Sequence, residues 1–316
     1  MREIIINKND SGQRLDKFLS KHFTTMPKSM MYMYIRKKCI KVNGKKPDIA
    51  LKLCEGDVIT LYIKDEFFDA KPKKKQYDFM KAPKQLDIIY EDENIIIVDK
   101  KQGVIVHPDE SYHFDSLVTR LKHYLYSKGE YDPESEQSFS PAFANRIDRN
   151  TGGLVIGAKN AEALRELNLK IKNREIVKLY LCVAHGIFDV KEDTLSGYMV
   201  KNEKQNKVKV LKKPVDGSKS MITKYRVLEE LPDNTSLLEV ELITGRTHQI
   251  RAHLASINHP LCGDVKYGKK ENENSPYKYQ ALYAYKLKFD FKESGGVLDY
   301  LNGKEFEAEN VHFVMK

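Results

Sequence analysis

An aspartate set between two arginines and followed by a glycine pair is the part of this chain most suited to chemistry. The run is Asn145-Arg146-Ile147-Asp148-Arg149-Asn150-Thr151-Gly152-Gly153, and it enters the apolar stretch Leu154-Val155-Ile156. Guanidinium charge near a carboxyl favours its ionised form, and an ionised carboxylate can serve as a nucleophile. The glycine pair permits backbone conformations that other residues resist. Taken alone, the same run also reads as a surface salt-bridge cluster. A second run is Arg174-Glu175-Ile176-Val177-Lys178-Leu179-Tyr180-Leu181-Cys182-Val183. Strand alternation places Ile176, Lys178 and Tyr180 on one face, where a tyrosine more often fills a core than catalyses. The third is Leu242-Ile243-Thr244-Gly245-Arg246-Thr247-His248-Gln249-Ile250-Arg251-Ala252-His253-Leu254. It gathers Arg246, His248 and Arg251 at a helix start, a place to meet an anion or simply a solvated basic turn. His248 and His253 are five residues apart, which is wrong for the i, i+4 pair that binds zinc.

These runs need elements to position them. A strand Leu154 to Ala158 follows the aspartate, then a helix over Ala161 to Lys172 and a strand over Val177 to Ala184. A strand Leu237 to Ile243 leads into a helix over Thr247 to Ile257. Leu86 to Tyr90 and Asn94 to Asp99 are short strands around an acidic turn, and Ser127 to Ser140 reads as a loop. Strands and helices without strict βαβ alternation predict an α+β fold with a mixed sheet. Ahead of this body, residues 1–63 predict a small α+β unit. It has a helix through Leu15, Phe18 and Leu19, a second from about Pro27 to Lys38, a tight Asn43-Gly44 turn and the alternating strand Val58 to Ile63. Residues 64–84, polar and carrying Pro72 and Pro83, read as an extended, mobile linker. The expected organisation is therefore 1–63, linker 64–84 and a catalytic body 85–316.

Charge divides along the same line. Residues 1–84 hold 20 Lys+Arg and 10 Asp+Glu, while residues 85–316 hold 34 and 35, so the first part carries +10 and the rest −1. A basic unit on a near-neutral body suggests a polyanion-binding appendage, although a lysine-rich solvated surface would look alike. The four cysteines show no CxxC spacing, which argues for reduced buried thiols rather than a zinc site. MREIIINKND lacks the apolar stretch of a signal peptide, and no apolar run approaches bilayer length. A cytoplasmic protein is expected.

Together the runs resemble the RluA-type pseudouridine synthases. Their H-R-L-D-x-x-T-S-G is similar to Asn145 to Gly153, their strand ending K-x-Y to Lys178-Leu179-Tyr180, and their T-G-R-x-H-Q-(I/L)-R to Thr244 through Arg251. Their opening strands are similar to Tyr90 through Pro108, and H-P-(I/L)-x-G-D-x-x-Y-G matches His259 to Gly268. Five motifs in family order across residues 85–268 are far more specific than any one. Three positions depart from the pattern. Asn145 replaces the usual His, Gly152 the usual Ser, and Lys101 the proline of K-P-x-G. None is a catalytic position. The first unit, through Arg14-Leu15-Asp16, Ile40 to Gly44 and Gly56 to Ile59, is similar to the RNA-binding domain named after ribosomal protein S-four.

The resemblance implies an isomerase that breaks the bond between uracil N1 and ribose, rotates the base and rejoins it through C5, without cofactor or metal. It carries Asp148 over as the nucleophile, Arg251 as its ionic partner and Tyr180 as the residue stacking on the base. A phenol titrates near pKa ~10, so Tyr180 as a base would need local help. Arg146 would fill the gap left by a flipped base, and Lys178 and Arg246 are further substrate contacts. The implied partner is structured RNA, large-subunit ribosomal RNA first and transfer RNA as the alternative, with no membrane and a monomeric enzyme. Two other readings are a non-catalytic ribosome-assembly factor and the related RsuA-type synthases. The intact set of Asp148, Tyr180 and Arg251 favours an enzyme, and the wording Thr244 to Arg251 favours the RluA type.

Overall fold

The computed structural model describes residues 1–68, 77–108, 114–202, 207–311 and 313. The first unit contains β1 (Arg2–Ile5), α1 (Leu15–His22), α2 (Lys28–Arg36), β2 (Ile40–Val42) and β3 (Val58–Leu61). Its sheet is antiparallel in the order β1-β3-β2. Leu15, Phe18 and Leu19 recur at helical spacing and pack with Met31 and Ile35 of α2 over Ile40, Ile59 and Leu61, all of them buried. Asn43 and Gly44 both take positive φ, 50° and 74°, as a tight turn of this kind demands.

The second body is an eleven-stranded mixed sheet. Its elements are β4 (Ile88–Glu91), β5 (Ile95–Lys100), α3 (Leu117–Lys128), β6 (Ala142–Phe143), β7 (Gly152–Ala158), α4 (Ala161–Lys172), β8 (Ile176–His185) and β9 (Glu192–Asn202). They are followed by β10 (Lys207–Leu211), β11 (Lys219–Leu231), β12 (Thr235–Leu242), α5 (Gln249–Ser256), β13 (Leu282–Phe289) and β14 (Glu305–Glu307). The main order is β10-β9-β11-β12-β8-β13-β7-β5-β4. The β13–β7 pair is parallel and the others are antiparallel, so the fold is α+β. Both faces of the centre are covered. Ile96 and Val98 of β5 join Leu121 and Leu125 of α3 and Ile250 and Leu254 of α5 on one side. Ile95 and Ile97 join Leu167 of α4 and Phe289 of β13 on the other. This is the period-two alternation of a strand buried on two faces.

Helix α3 runs to Lys128, so the Ser127–Ser140 loop begins later than expected. Part of that loop meets the first unit. Asn9 Nδ2 donates to Glu136 Oε1 at 2.7 Å, and Gln13 Nε2 donates to Ser138 Oγ at 3.0 Å. At the ends of the expected linker, Phe67 belongs to the first core and Phe79 to the second. Its middle, 69–76, lies outside the described residues.

Gly152 and Gly153 open β7 against β13. Gly153 has φ +116°, and a Cβ there would come within 2.3 Å of the Ala284 carbonyl oxygen. A Cβ on Gly152 would meet Tyr283 Cε2 at 2.4 Å. The Tyr283 ring thus fills the space that the serine side chain of the resembled pattern would need, and its hydroxyl donates to Asp99 Oδ1 at 2.7 Å. Gly152→Ser should destabilise the protein by about 1–3 kcal/mol in urea unfolding, since overpacking a tight site costs that much. Adding Tyr283→Ala should recover no less than half of the overpacking cost relative to Tyr283→Ala alone. Equal costs of Gly152→Ser in both backgrounds would contradict this account.

Candidate active site

The loop between β6 and β7 carries Asp148, and three contacts shape it. Thr151 N–H donates to the Asp148 carbonyl at 3.1 Å, Gly103 N–H donates to the Arg149 carbonyl at 2.9 Å, and Gln280 Nε2 donates to Thr151 Oγ1 at 3.2 Å. Beneath it, Lys100 is 1% exposed. Its Nζ donates to the carbonyls of Lys101, Val104 and Arg149 at 3.0, 2.8 and 3.0 Å. Three acceptors use all three N–H groups of an ammonium. Burial pushes this group down, the charges of Asp148 and Asp99 oppose it, and the balance leaves it at about 7.

Helix α5 supplies the counter-charge. Arg251 Nη1 donates to Asp148 Oδ2 at 2.9 Å. The rest of the guanidinium fork goes to Asp264, with Nε to Oδ2 at 2.7 Å and Nη2 to Oδ1 at 2.9 Å. One arginine therefore bridges two carboxylates, and the side chain of Asp264 is 1% exposed. These charge-assisted bonds raise the Arg251 pKa against the opposing effect of burial. Among the described residues no hydrogen bond reaches Asp148 Oδ1, and the aspartate is only half-buried. Oδ2 is thus the oxygen that Arg251 holds.

The sequence Thr244 to Gln249 has its own local logic. Gln249 Nε2 donates to the Ile222 carbonyl and to Thr223 Oγ1 at 2.8 and 2.9 Å. Its Oε1 accepts from Thr244 Oγ1 and Arg246 N–H at 2.9 and 3.1 Å. A fully satisfied buried amide thus ties the β12–α5 turn to β11. The helix starts at Gln249 rather than Thr247, because His248 takes a left-handed conformation with φ 53°.

These elements enclose a cleft of about 380 Å³. Asp148, Tyr180, Arg251, Arg146, Lys178 and Arg246 all line it. Tyr180 is buried at its wall, and both burial and the nearby Asp148 push its phenol above the usual range. Lys178 Nζ donates to the Ile176 carbonyl at 3.1 Å and Arg246 Nε to the Ser220 carbonyl at 3.2 Å. Arg146 is exposed at the rim. Asn145 Oδ1 accepts from Ile156 N–H at 2.8 Å, so this position braces β7 against the loop. The sequence places His248 with Arg246 and Arg251 at a helix start suited to an anion, but gives no part to Asp264, Lys100, Gln249 or Tyr267. The signal was present for Asp264 and Tyr267 in the matched run His259 to Gly268, but spacing does not reveal that Asp264 turns toward Arg251.

A family model described as RNA pseudouridylate synthase matches residues 94–256. The chain is 35% identical over 292 residues to an uncharacterised RNA pseudouridine synthase of Mycoplasma genitalium, covering 91% of this chain and 88% of the relative. It is 32% identical over 301 residues to ribosomal large subunit pseudouridine synthase D of Neisseria meningitidis, covering 92% and 75%. The solved structure of human RNA pseudouridylate synthase domain containing 4 aligns with a TM-score of 0.54 at 18% identity, covering 72% of this chain and 89% of that one, a likeness of fold. The held carboxylate, the motifs around the cleft and these relatives agree: the chain belongs to the RluA-type RNA pseudouridine synthases, isomerases that act on RNA.

Proposed function

We propose that this enzyme modifies large-subunit ribosomal RNA and that Asp148 is its nucleophile, acting through Oδ1. The observation that carries the chemical part is the asymmetry of the carboxylate, with Oδ2 bound by Arg251 and no hydrogen bond to Oδ1 among the described residues, in a residue that lines the cleft. Ionised and oriented, Oδ1 can reach the sugar while the uracil departs from C1′ with the N1 bonding pair. The base then rotates, and C5 attacks C1′ and displaces the Asp148 carboxylate, which leaves with the bonding pair of the C1′–Oδ1 ester. The C5 proton is lost to solvent while N1 takes one up. A uracil inside a helix cannot enter such a cleft, so the target nucleotide flips out at a cost of a few kcal/mol. The exposure of Arg146 at the rim supports a role in filling the gap. The buried ring of Tyr180 supports stacking on the base. Its raised pKa keeps the hydroxyl protonated, which disfavours the phenol as the proton acceptor. Lys178 and Arg246 contribute positive charge to the walls.

The ribosomal assignment leans on the relative from Neisseria meningitidis, whose name specifies the large subunit. Mapping pseudouridine in total RNA from cells lacking this protein should show lost sites in large-subunit RNA. Losses confined to transfer RNA would overturn that assignment.

Residues 1–63 are assigned here as an S-four-like RNA-binding domain, joined through 64–84 to the catalytic domain 85–316. Arg36, Lys37, Lys38, Lys45 and Lys46 are exposed at the end of α2 and around the Asn43-Gly44 turn. No ion pair to a carboxylate engages them among the described residues. Replacing Lys37, Lys45 and Lys46 together with Gln should weaken RNA binding and flatten the plot of log affinity against log salt. The slope should fall by about 0.7–0.9 per lost phosphate contact. An unchanged slope would remove this surface from the RNA interface.

A further inference from the structure

We propose that Tyr267 and His248 form an uncharged relay that orients the catalytic carboxylate, with the Nε2–H of His248 facing the same Asp148 oxygen that Arg251 holds. The inference rests on Asp148 being the reacting group. Both residues act through Asp148, so they are positioning residues.

The relay is a chain of short contacts. Val208 N–H donates to Tyr267 Oη at 2.8 Å. Tyr267 Oη lies 3.0 Å from His248 Nδ1, and His248 Nε2 lies 3.8 Å from Asp148 Oδ2. A phenol oxygen that already accepts from an amide still has its own proton to donate, and Nδ1 is the acceptor within reach. An imidazole that accepts at Nδ1 and is neutral carries its proton on Nε2. The opposite end of the ring favours the same tautomer, because a lone pair on Nε2 would face a carboxylate. The distance of 3.8 Å exceeds a hydrogen bond, and contacts of this kind tighten when substrate closes on the site.

The ring is held neutral by its surroundings. Burial pushes His248 down to about 4, Arg251 and Lys266 act in the same direction, and Asp148 and Asp264 oppose them. A neutral donor orients Oδ2 without adding a second full charge to the carboxylate, leaving Oδ1 reactive. The φ of 53° at His248 belongs to a region that non-glycine residues seldom occupy, a modest strain of the kind found at functional sites. Tyr267 also joins the site to the sheet edge. Lys207 and Arg251 lie over its ring at 5.2 and 5.3 Å, and Lys207 and Val208 belong to edge strand β10.

Tyr267→Phe in the full chain keeps the ring and deletes the relay. Steady-state turnover of an RNA substrate should show kcat down by roughly 10- to 100-fold, the scale of a misplaced catalytic group. RNA affinity should stay within about twofold. Nitrogen-15 NMR of imidazole-labelled enzyme, with His248 assigned by its loss in His248→Asn, should show a neutral Nε2–H ring in the wild type at pH 7. That signature should vanish in Tyr267→Phe. Asparagine tolerates the left-handed backbone but does not reach Asp148, so His248→Asn should lose as much kcat as Tyr267→Phe. The double variant should be no worse than either, because the pair acts as a unit. A kcat loss below about fivefold, a wild-type ring protonated on Nδ1 or on both nitrogens, or additive losses in the double variant would each overturn the relay. The ring spectrum does not depend on turnover. An active Asp148→Asn enzyme would refute the nucleophile, and an unexpected tautomer would refute only the relay.

Discussion

Arg251→Ala should destabilise the protein by roughly 3–5 kcal/mol, the cost of leaving a buried charge without its partner, and lower kcat at least about a hundredfold. The guanidinium serves two carboxylates at once, holding Asp264 by a two-pronged contact and Asp148 by the remaining nitrogen. With the arginine gone, the almost fully enclosed Asp264 must either stay charged in a poor solvent or take up a proton. Asp148 loses the bond that holds Oδ2. Arg251→Lys separates these roles. A lysine keeps the charge, but its point-like ammonium cannot fork onto Asp264 while also reaching Asp148. It should recover part of the stability and little of the turnover. Urea unfolding read by circular dichroism, alongside kcat on a ribosomal RNA fragment, measures both. A stability loss below about 1 kcal/mol would mean that Asp264 relaxes into water, contrary to the buried bridge described above.

Much of this arrangement was legible in the sequence, for definite reasons. Asp148, Tyr180 and Arg251 lie in separate runs up to about a hundred residues apart, and spacing alone could not bring them together. The ordered motifs could, because they imply a fold whose strands and loops converge on one cleft. Helices α1 and α4 announce themselves by apolar spacing, and Asn43-Gly44 by its turn chemistry. Helix α3 was missed. Its capping box pairs Ser116 with Thr119 where a Glu or Gln is the usual signal, and its polar face breaks the run. Strand β9 was missed because it is exposed over most of its length, which removes the alternation that marks a half-buried strand. The site's inner supports were beyond a linear reading. Lys100 looks like any lysine until three carbonyls are seen to surround it. Gly152 reads as a departure from the family pattern until Tyr283 is found in the vacated space.

The largest effect on activity should come from Asp148→Asn. The amide matches the carboxylate in shape but lacks its charge, and it is a poor nucleophile. Arg251 would remain bound to Asp264, so folding and RNA binding should be nearly intact, with a modest stability change of either sign. Turnover should fall by about ten-thousandfold or more, the scale seen when one member of a catalytic unit is removed. Adding Arg251→Ala to Asp148→Asn should reduce kcat little further, since both changes disable one carboxylate. The most direct measurement is release of tritium from RNA labelled at uracil C5, because joining C5 to the sugar expels that hydrogen. With wild-type enzyme, release should track pseudouridine formation. With Asp148→Asn it should stay at background while the variant still binds the RNA. Release near the wild-type rate would show that another group carries the reaction and would contradict the mechanism proposed for this cleft.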